Sequence, residues 1–212
     1  ENIAIAAGIP KPALYVIDDT AMNAFATGRD PEHAVVCATS GILERLDRRE
    51  LEAVVAHEIS HIKYYDIRLM VVVAVLAGTI AFVSDMFMRS LWFGGNRRNR
   101  DRDDNSGIFL IIGIVLMIAS PFIATIIQLA ISRNREFLAD AGSAELTRNP
   151  DALVRALQKI SKDTEVLEAA TNATAHLFIA NPFKGKSSHA WFASLFDTHP
   201  PIDERIRALK AM

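Results

Sequence analysis

Residues 105–132 form a run of 28 positions without a charged side chain, and no other feature limits the fold so sharply. The apolar body of this run, residues 108–131, is 24 residues long and is broken, glycine aside, only by Ser120, Pro121, Thr125 and Gln128. A helix crossing hydrocarbon needs about 20 such residues, and spanning helices tolerate a proline. A chain of 212 residues has little protein with which to wrap so apolar a helix in water. An earlier run, residues 69–84, is charge-free for 16 positions, with Asp85 and Arg89 before Leu91, Trp92 and Phe93. Carried on to Trp92 it reaches spanning length, with Asp85 near one end and Trp92 as an interfacial anchor. Between the runs, residues 94–106 carry Arg97, Arg98, Arg100 and Arg102 against Asp101, Asp103 and Asp104, the composition of a polar loop. The pattern predicts a transmembrane helical hairpin, residues 69–131, inserted between two parts of one domain, residues 1–68 and 132–212. Both parts then share one compartment. Arg48, Arg49, Lys63, Arg68, Arg133, Arg135 and Arg148 lie towards the domain side, against Arg89 and the four loop arginines on the other. That count favours a cytoplasmic domain, and the lone Cys37 agrees with a reducing compartment. The chain opens on Glu1 rather than Met, so spans further upstream are left open.

Composition narrows the function. A net charge of −2 argues against a nucleic-acid partner, which calls for a basic surplus. One cysteine excludes an intramolecular disulfide framework and any multi-cysteine zinc ribbon. Half of the residues are apolar, but much of that half sits in the two blocks above, and the remainder has the composition of a soluble domain.

That remainder carries His57-Glu58-Ile59-Ser60-His61. A chance match to H-E-x-x-H in this composition is expected only about 0.009 times. Asp47 with Glu50 three residues later is an aspartate form of the capping box, and Leu51, Val54, Val55, Ile59 and Ile62 recur at helical spacing. On that helix His57 and His61 project from one face, and both imidazoles can reach one Zn²⁺. Glu58 is placed to serve as general base towards a water at the cation. A catalytic zinc needs a third protein ligand and an open position. Residues 62–68 lack the Gly and His that would extend the motif. After the second apolar run come Glu136 and Asp140, four apart and on one helix face. Glu136 could ligate the metal, and Asp140 could accept a hydrogen bond from a ligand histidine and fix its tautomer.

Four segments together resemble the HtpX-type membrane metalloproteases, relatives of the CaaX prenyl proteases within the gluzincin class. They are residues 23–28 (Asn-Ala-Phe-Ala-Thr-Gly), residues 57–61, residues 136–140 (Glu-Phe-Leu-Ala-Asp) and residues 198–201 (Thr-His-Pro-Pro) followed by Arg205. The likeness covers most of the chain, without the two further spans that usually precede the domain in that family. It implies that His199 helps to stabilise the oxyanion formed when water attacks the peptide carbonyl, and that Arg205 anchors the site by ion pairing. Short β-rich runs occur at Ala13–Ile17 and at residues 34–39. The resemblance implies that the second, through Ala34, Val36 and Ala38, is an edge strand that pairs with an extended substrate, and that Asn23 holds substrate backbone. Residue types alone read Asn23 as a turn residue, His199 as a loop histidine and Arg205 as a surface charge. Helices are expected from Pro150 to about Ser161 and over Ile202–Lys210. The aromatic segment 177–196 could line the cleft, lie on the membrane surface or pack beneath the helices.

The expected fold is α+β and mainly helical: a zincin-like metalloprotease domain with a small β-sheet and an inserted transmembrane hairpin. The expected function is that of a membrane-bound zinc endopeptidase, with one Zn²⁺ per chain on His57, His61 and Glu136, acting on misfolded or damaged membrane proteins in protein quality control. Its expected setting is the bacterial inner membrane, in contact with lipid, with the catalytic domain on the cytoplasmic side. Three alternatives stay open: a CaaX-type protease, an adaptor with a structural zinc site, and a soluble helical protein with a buried hairpin.

Overall fold

The computed structural model describes residues 1–93, 106–168, 178–179 and 200–212. The chain divides into two compact units, Glu1–Leu69 with Ile131–Met212, and Met70–Ala130. The described elements are mainly helical: α1 (Asn2–Ala7), α2 (Ser40–Arg45), α3 (Arg48–Lys63), α4 (Asp66–Phe93), α5 (Ser106–Thr147), α6 (Pro150–Lys162) and α7 (Ile202–Lys210), with strands β1 (Ala13–Ile17), β2 (Ala24–Thr27) and β3 (Val35–Thr39).

Local chemistry sets these boundaries. Asp47 accepts the backbone N–H groups of Arg49 and Glu50, and Glu50 returns a bond to the Asp47 N–H, which closes the capping box of α3. Asn149 caps α6 through the Ala152 N–H, and Pro150 takes the first helical position. Thr39 ends β3 and caps α2 through the Ile42 N–H. The core of the first unit forms where the apolar stripe of α6 meets α3: Leu153, Leu157 and Ile160 lie against Ala53 and Val54, with Ile42, Met22 and Leu209 closing the cluster. Ala4 and Ala7 of α1 cover Ile59 on another face of α3. Residues 56–60 of α3 are buried as a result.

The sheet corrects one expectation. Its order is β1-β3-β2, with β1 parallel and β2 antiparallel to β3. The run through Ala34, Val36 and Ala38 therefore leads into the central strand, paired on both sides, and is no edge. Val36 is matched with Leu14 on one side and Ala26 on the other. Such a strand has no free backbone edge to offer a substrate, so the edge-strand role does not fit these three residues. Residues 24–27, which sequence periodicity left unassigned, supply the third strand. Gly28 ends it at φ 139°, where a Cβ would lie 2.6 Å from the His33 carbonyl oxygen. Only glycine fits that turn. Cys37 is a buried residue of β3, in keeping with its reading as a small apolar strand residue.

The second unit comprises the rest of α4 and the first part of α5. Residues Asp66–Met86 are long and apolar enough to cross a membrane, and the described side chains beyond Asp66 in this stretch are half-buried or exposed. Val71, Val75, Leu76 and Phe82 on α4 and Val115, Phe122 and Ile126 on α5 are all exposed. The Ser84 and Ser120 hydroxyls meet at 3.2 Å between the two helices, a polar contact of the kind that joins helices in lipid. Asp85 forms an i,i+4 ion pair with Arg89 at 2.7 Å.

Candidate metal centre

Three elements of the first unit build the centre. α3 carries His57, Glu58 and His61. α5 brings Glu136 and Asp140, and α7 brings Arg205. The approach of α5 to α3 depends on small residues. Glu136, Ala139, Asp140 and Ser143 follow one another at i, i+3, i+4 and i+7 on one buried face. Ser143 Oγ donates to the Ala53 carbonyl at 2.7 Å. At Gly142 a Cβ would stand only 2.9 Å from Ser60 Cβ, so the seam has no room for a side chain there.

At the end of this seam the imidazoles of His57 and His61 face one another, Nε2 to Nε2, at 3.2 Å. The Glu136 carboxylate completes a triangle, 3.7 Å from His57 Nε2 and 3.5 Å from His61 Nε2. These ligand atoms lie within 4.8 Å of one another. A tetrahedral zinc with bonds of about 2.0–2.1 Å separates its ligand atoms by about 3.3 Å. The two-nitrogen, one-carboxylate donor set and its spacing therefore suit a zinc ion.

Behind each histidine stands an acid. His57 Nδ1 lies 3.0 Å from Asp140 Oδ1, and His61 Nδ1 lies 2.8 Å from Asp66 Oδ2. Arg205, fully buried, grips both Asp140 oxygens at 2.6 and 2.8 Å and reaches Glu136 at 3.4 Å. It also donates to the Ile179 carbonyl at 3.3 Å, while the Ile179 N–H donates to the Ala24 carbonyl of β2 at 3.0 Å. Phe178 packs edge-on against Phe25 with ring centroids 5.0 Å apart.

Burial governs the electrostatics. It pushes the Glu58 carboxyl up against the opposing pull of His57 and His61, with Glu136 adding to the rise. A carboxyl raised in this way is suited to exchange protons near neutral pH. Burial alone would lower His61, but the Asp66 hydrogen bond and the charges of Glu136 and Glu58 outweigh it and hold the ring up at about 9. A cation held at His61 Nε2 would therefore have to displace a proton. For Asp140 burial is likewise outweighed, by the Arg205 guanidinium, which holds the carboxyl below its ordinary value.

The structure thus brings His57, Glu58, His61, Glu136, Asp140 and Arg205 together. Asn23 is buried at the start of β2, with its N–H on Thr39 Oγ1 at 3.0 Å and its Oδ1 taking the Ala24 N–H. His199 lies outside the described residues, as does the segment 177–196 apart from Phe178 and Ile179. Sequence reasoning missed Asp66 and Ile179. An acid is to be expected wherever a ligand histidine must present one nitrogen, and that rule could have pointed to Asp66. Nothing in the residue pattern marks the backbone carbonyl of Ile179.

The model of Peptidase family M48 matches residues 1–212. The Protease HtpX homolog of Caldanaerobacter subterraneus subsp. tengcongensis is 51% identical over 214 residues, covering 100% of this chain and 70% of that protein. The Protease HtpX homolog of Dictyoglomus thermophilum is 51% identical over 212 residues, covering 100% and 67%. Among solved structures, S. mikatae Ste24p has the same fold with a TM-score of 0.60 at 22% identity, over 98% of this chain and 48% of that one. The chain spans about half the length of that structure. With a family model matched along its whole length and half of its residues shared with these homologues, the chain belongs to peptidase family M48 and is a zinc metalloprotease, a hydrolase of peptide bonds.

Proposed function

We propose that the chain is a membrane-embedded endopeptidase that binds one Zn²⁺ on His57, His61 and Glu136 and cleaves unfolded or damaged membrane proteins in protein quality control. The observation that carries this reading is the triangle of ligand atoms within 4.8 Å of one another, with the buried carboxyl of Glu58 on the same helical turn. When bound, zinc supplies Lewis acidity, acidifying water and polarising the scissile carbonyl. Glu58 takes the proton of the attacking water and returns it to the leaving amine. Asp140 keeps the proton of His57 on Nδ1 and so leaves Nε2 for the cation. Arg205 balances the negative charge that Asp140 and Glu136 bring into the interior. His199 is assigned to the oxyanion and Asn23 to substrate backbone, as the HtpX-type resemblance implies.

The membrane assignment rests on the many exposed apolar side chains of α4 and α5 and on the apolar length of Asp66–Met86, which a helix in water seldom combines. The hairpin, residues 69–131, is read as an insertion in the catalytic domain, placed on the cytoplasmic side of the bacterial inner membrane. Such a position brings the active site close to the loops of other membrane proteins.

Membranes carrying the chain, washed at alkaline pH, are expected to retain it and to cleave an unfolded membrane protein. A zinc chelator should stop that cleavage, and added zinc should restore it. Release of the chain into the wash, or cleavage that survives chelation, would overturn the reading.

A further inference from the structure

His61 owes its surroundings to a break in the helix. On an unbroken helix residues 61 and 66 would point about 140° apart, out of reach of each other. Here α3 stops at Lys63, and Tyr65 takes φ 56°, a left-handed conformation that a bulky non-glycine residue adopts only where its surroundings impose it. The chain turns back, α4 starts at Asp66, and the Asp66 carboxylate returns to His61 Nδ1 at 2.8 Å. Asp66 is 4% exposed. An ionised carboxylate only accepts, so Nδ1 carries a proton towards Asp66, and Nε2 is the ring nitrogen turned towards His57 and Glu136.

The other Asp66 oxygen is paired with Arg135, the residue next to Glu136. Arg135 also donates to the Tyr64 carbonyl at 3.2 Å and lies 5.7 Å over the Tyr64 ring. The two ligand histidines thus have matching supports: His57 has Asp140 fixed by Arg205, and His61 has Asp66 fixed by Arg135.

We propose that Asp66 is a positioning residue of the metal centre: it holds His61 with Nε2 towards the cation and, through Arg135, ties that ring to the turn of α5 that carries Glu136. The strained turn at Tyr65 is what allows one carboxylate to do both. This assignment rests on the proposed zinc site, and its test separates the two.

The test measures zinc affinity of the full chain in detergent, by competition with a chromophoric chelator, for the wild type, Asp66→Ala and Asp66→Asn. Asp66→Ala is expected to bind zinc about 10- to 100-fold more weakly. Asp66→Asn keeps an acceptor but loses the charge, so it should fall between Asp66→Ala and the wild type. Both should shift the visible bands of the Co²⁺-substituted protein, a change that a purely structural role would not produce. If Asp66→Ala does not fold, Asp66→Asn decides alone. Wild-type zinc affinity and unchanged Co²⁺ bands in folded Asp66→Asn would overturn the proposal while leaving the metal site intact. A wild type that fails to bind one zinc would overturn the metal site, and the role of Asp66 with it.

Discussion

Glu58→Gln is expected to lower peptide-bond cleavage by about 10²- to 10⁴-fold or more and to leave the zinc content unchanged. Glutamine has the shape of glutamate and its hydrogen-bonding reach, but it cannot take a proton from water. None of the ligand atoms of His57, His61 and Glu136 is altered. Glu58 is 2% exposed, and burial already disfavours its charged form, so neutral glutamine should be accommodated with little strain on the fold. Cleavage of an unfolded membrane protein, measured beside elemental analysis of the same preparation, checks both halves. A variant that cleaves as fast as the wild type would remove Glu58 from the mechanism. A variant that loses zinc would show that Glu58 supports the metal rather than the water. The same measurement disposes of the adaptor alternative, because a closed structural site has no use for a general base.

Arg205→Ala should have the largest effect on stability. Arg205 is fully buried and binds both oxygens of Asp140 as well as approaching Glu136. Its removal leaves two carboxylates in the interior without their cation. Breaking a buried pair in this way costs about 3–5 kcal/mol, or a fall in unfolding temperature of about 6–20 °C for a chain of this size. The sign with pH follows from Asp140, whose carboxyl is held below its usual 3.8. The stability that this pair contributes is present above that value and is lost only as the pH falls through the depressed one. Thermal unfolding in detergent at neutral pH therefore reads the full effect. An unchanged midpoint would contradict the structural role given to Arg205. Because Asp140 also orients His57, the surviving folded fraction should bind zinc more weakly than the wild type.

Much of this architecture is legible in the sequence because the signals are local. The capping box of Asp47 and Glu50 announces α3, and helical spacing then places His57 and His61 on one face. Glu136 and Asp140 follow from the same rule applied to α5. The helices that start at Pro150 and Ile202 are marked by proline, and the first also by its Asn149 cap. What stayed hidden is non-local. Which strand lies in the middle of the sheet depends on a crossover that residue patterns do not encode, and so nothing in them opposes the edge role that the resemblance implies for Ala34, Val36 and Ala38, although β3 is central. The break at Tyr65 carries neither glycine nor proline, the residues that usually mark such a turn. Without that break Asp66 has no path to His61. Arg205 reads as a surface charge because its acidic partner, Asp140, is 65 residues away in the chain.

The central claim is that His57, His61 and Glu136 together hold one zinc. The most direct test is the zinc stoichiometry of the wild type and of folded Glu136→Ala after dialysis against a chelator too weak to strip the wild type. The account predicts one zinc per chain in the wild type and near-complete loss from the variant, because two histidines alone do not complete a protein zinc site. One zinc retained by Glu136→Ala as firmly as by the wild type would contradict it.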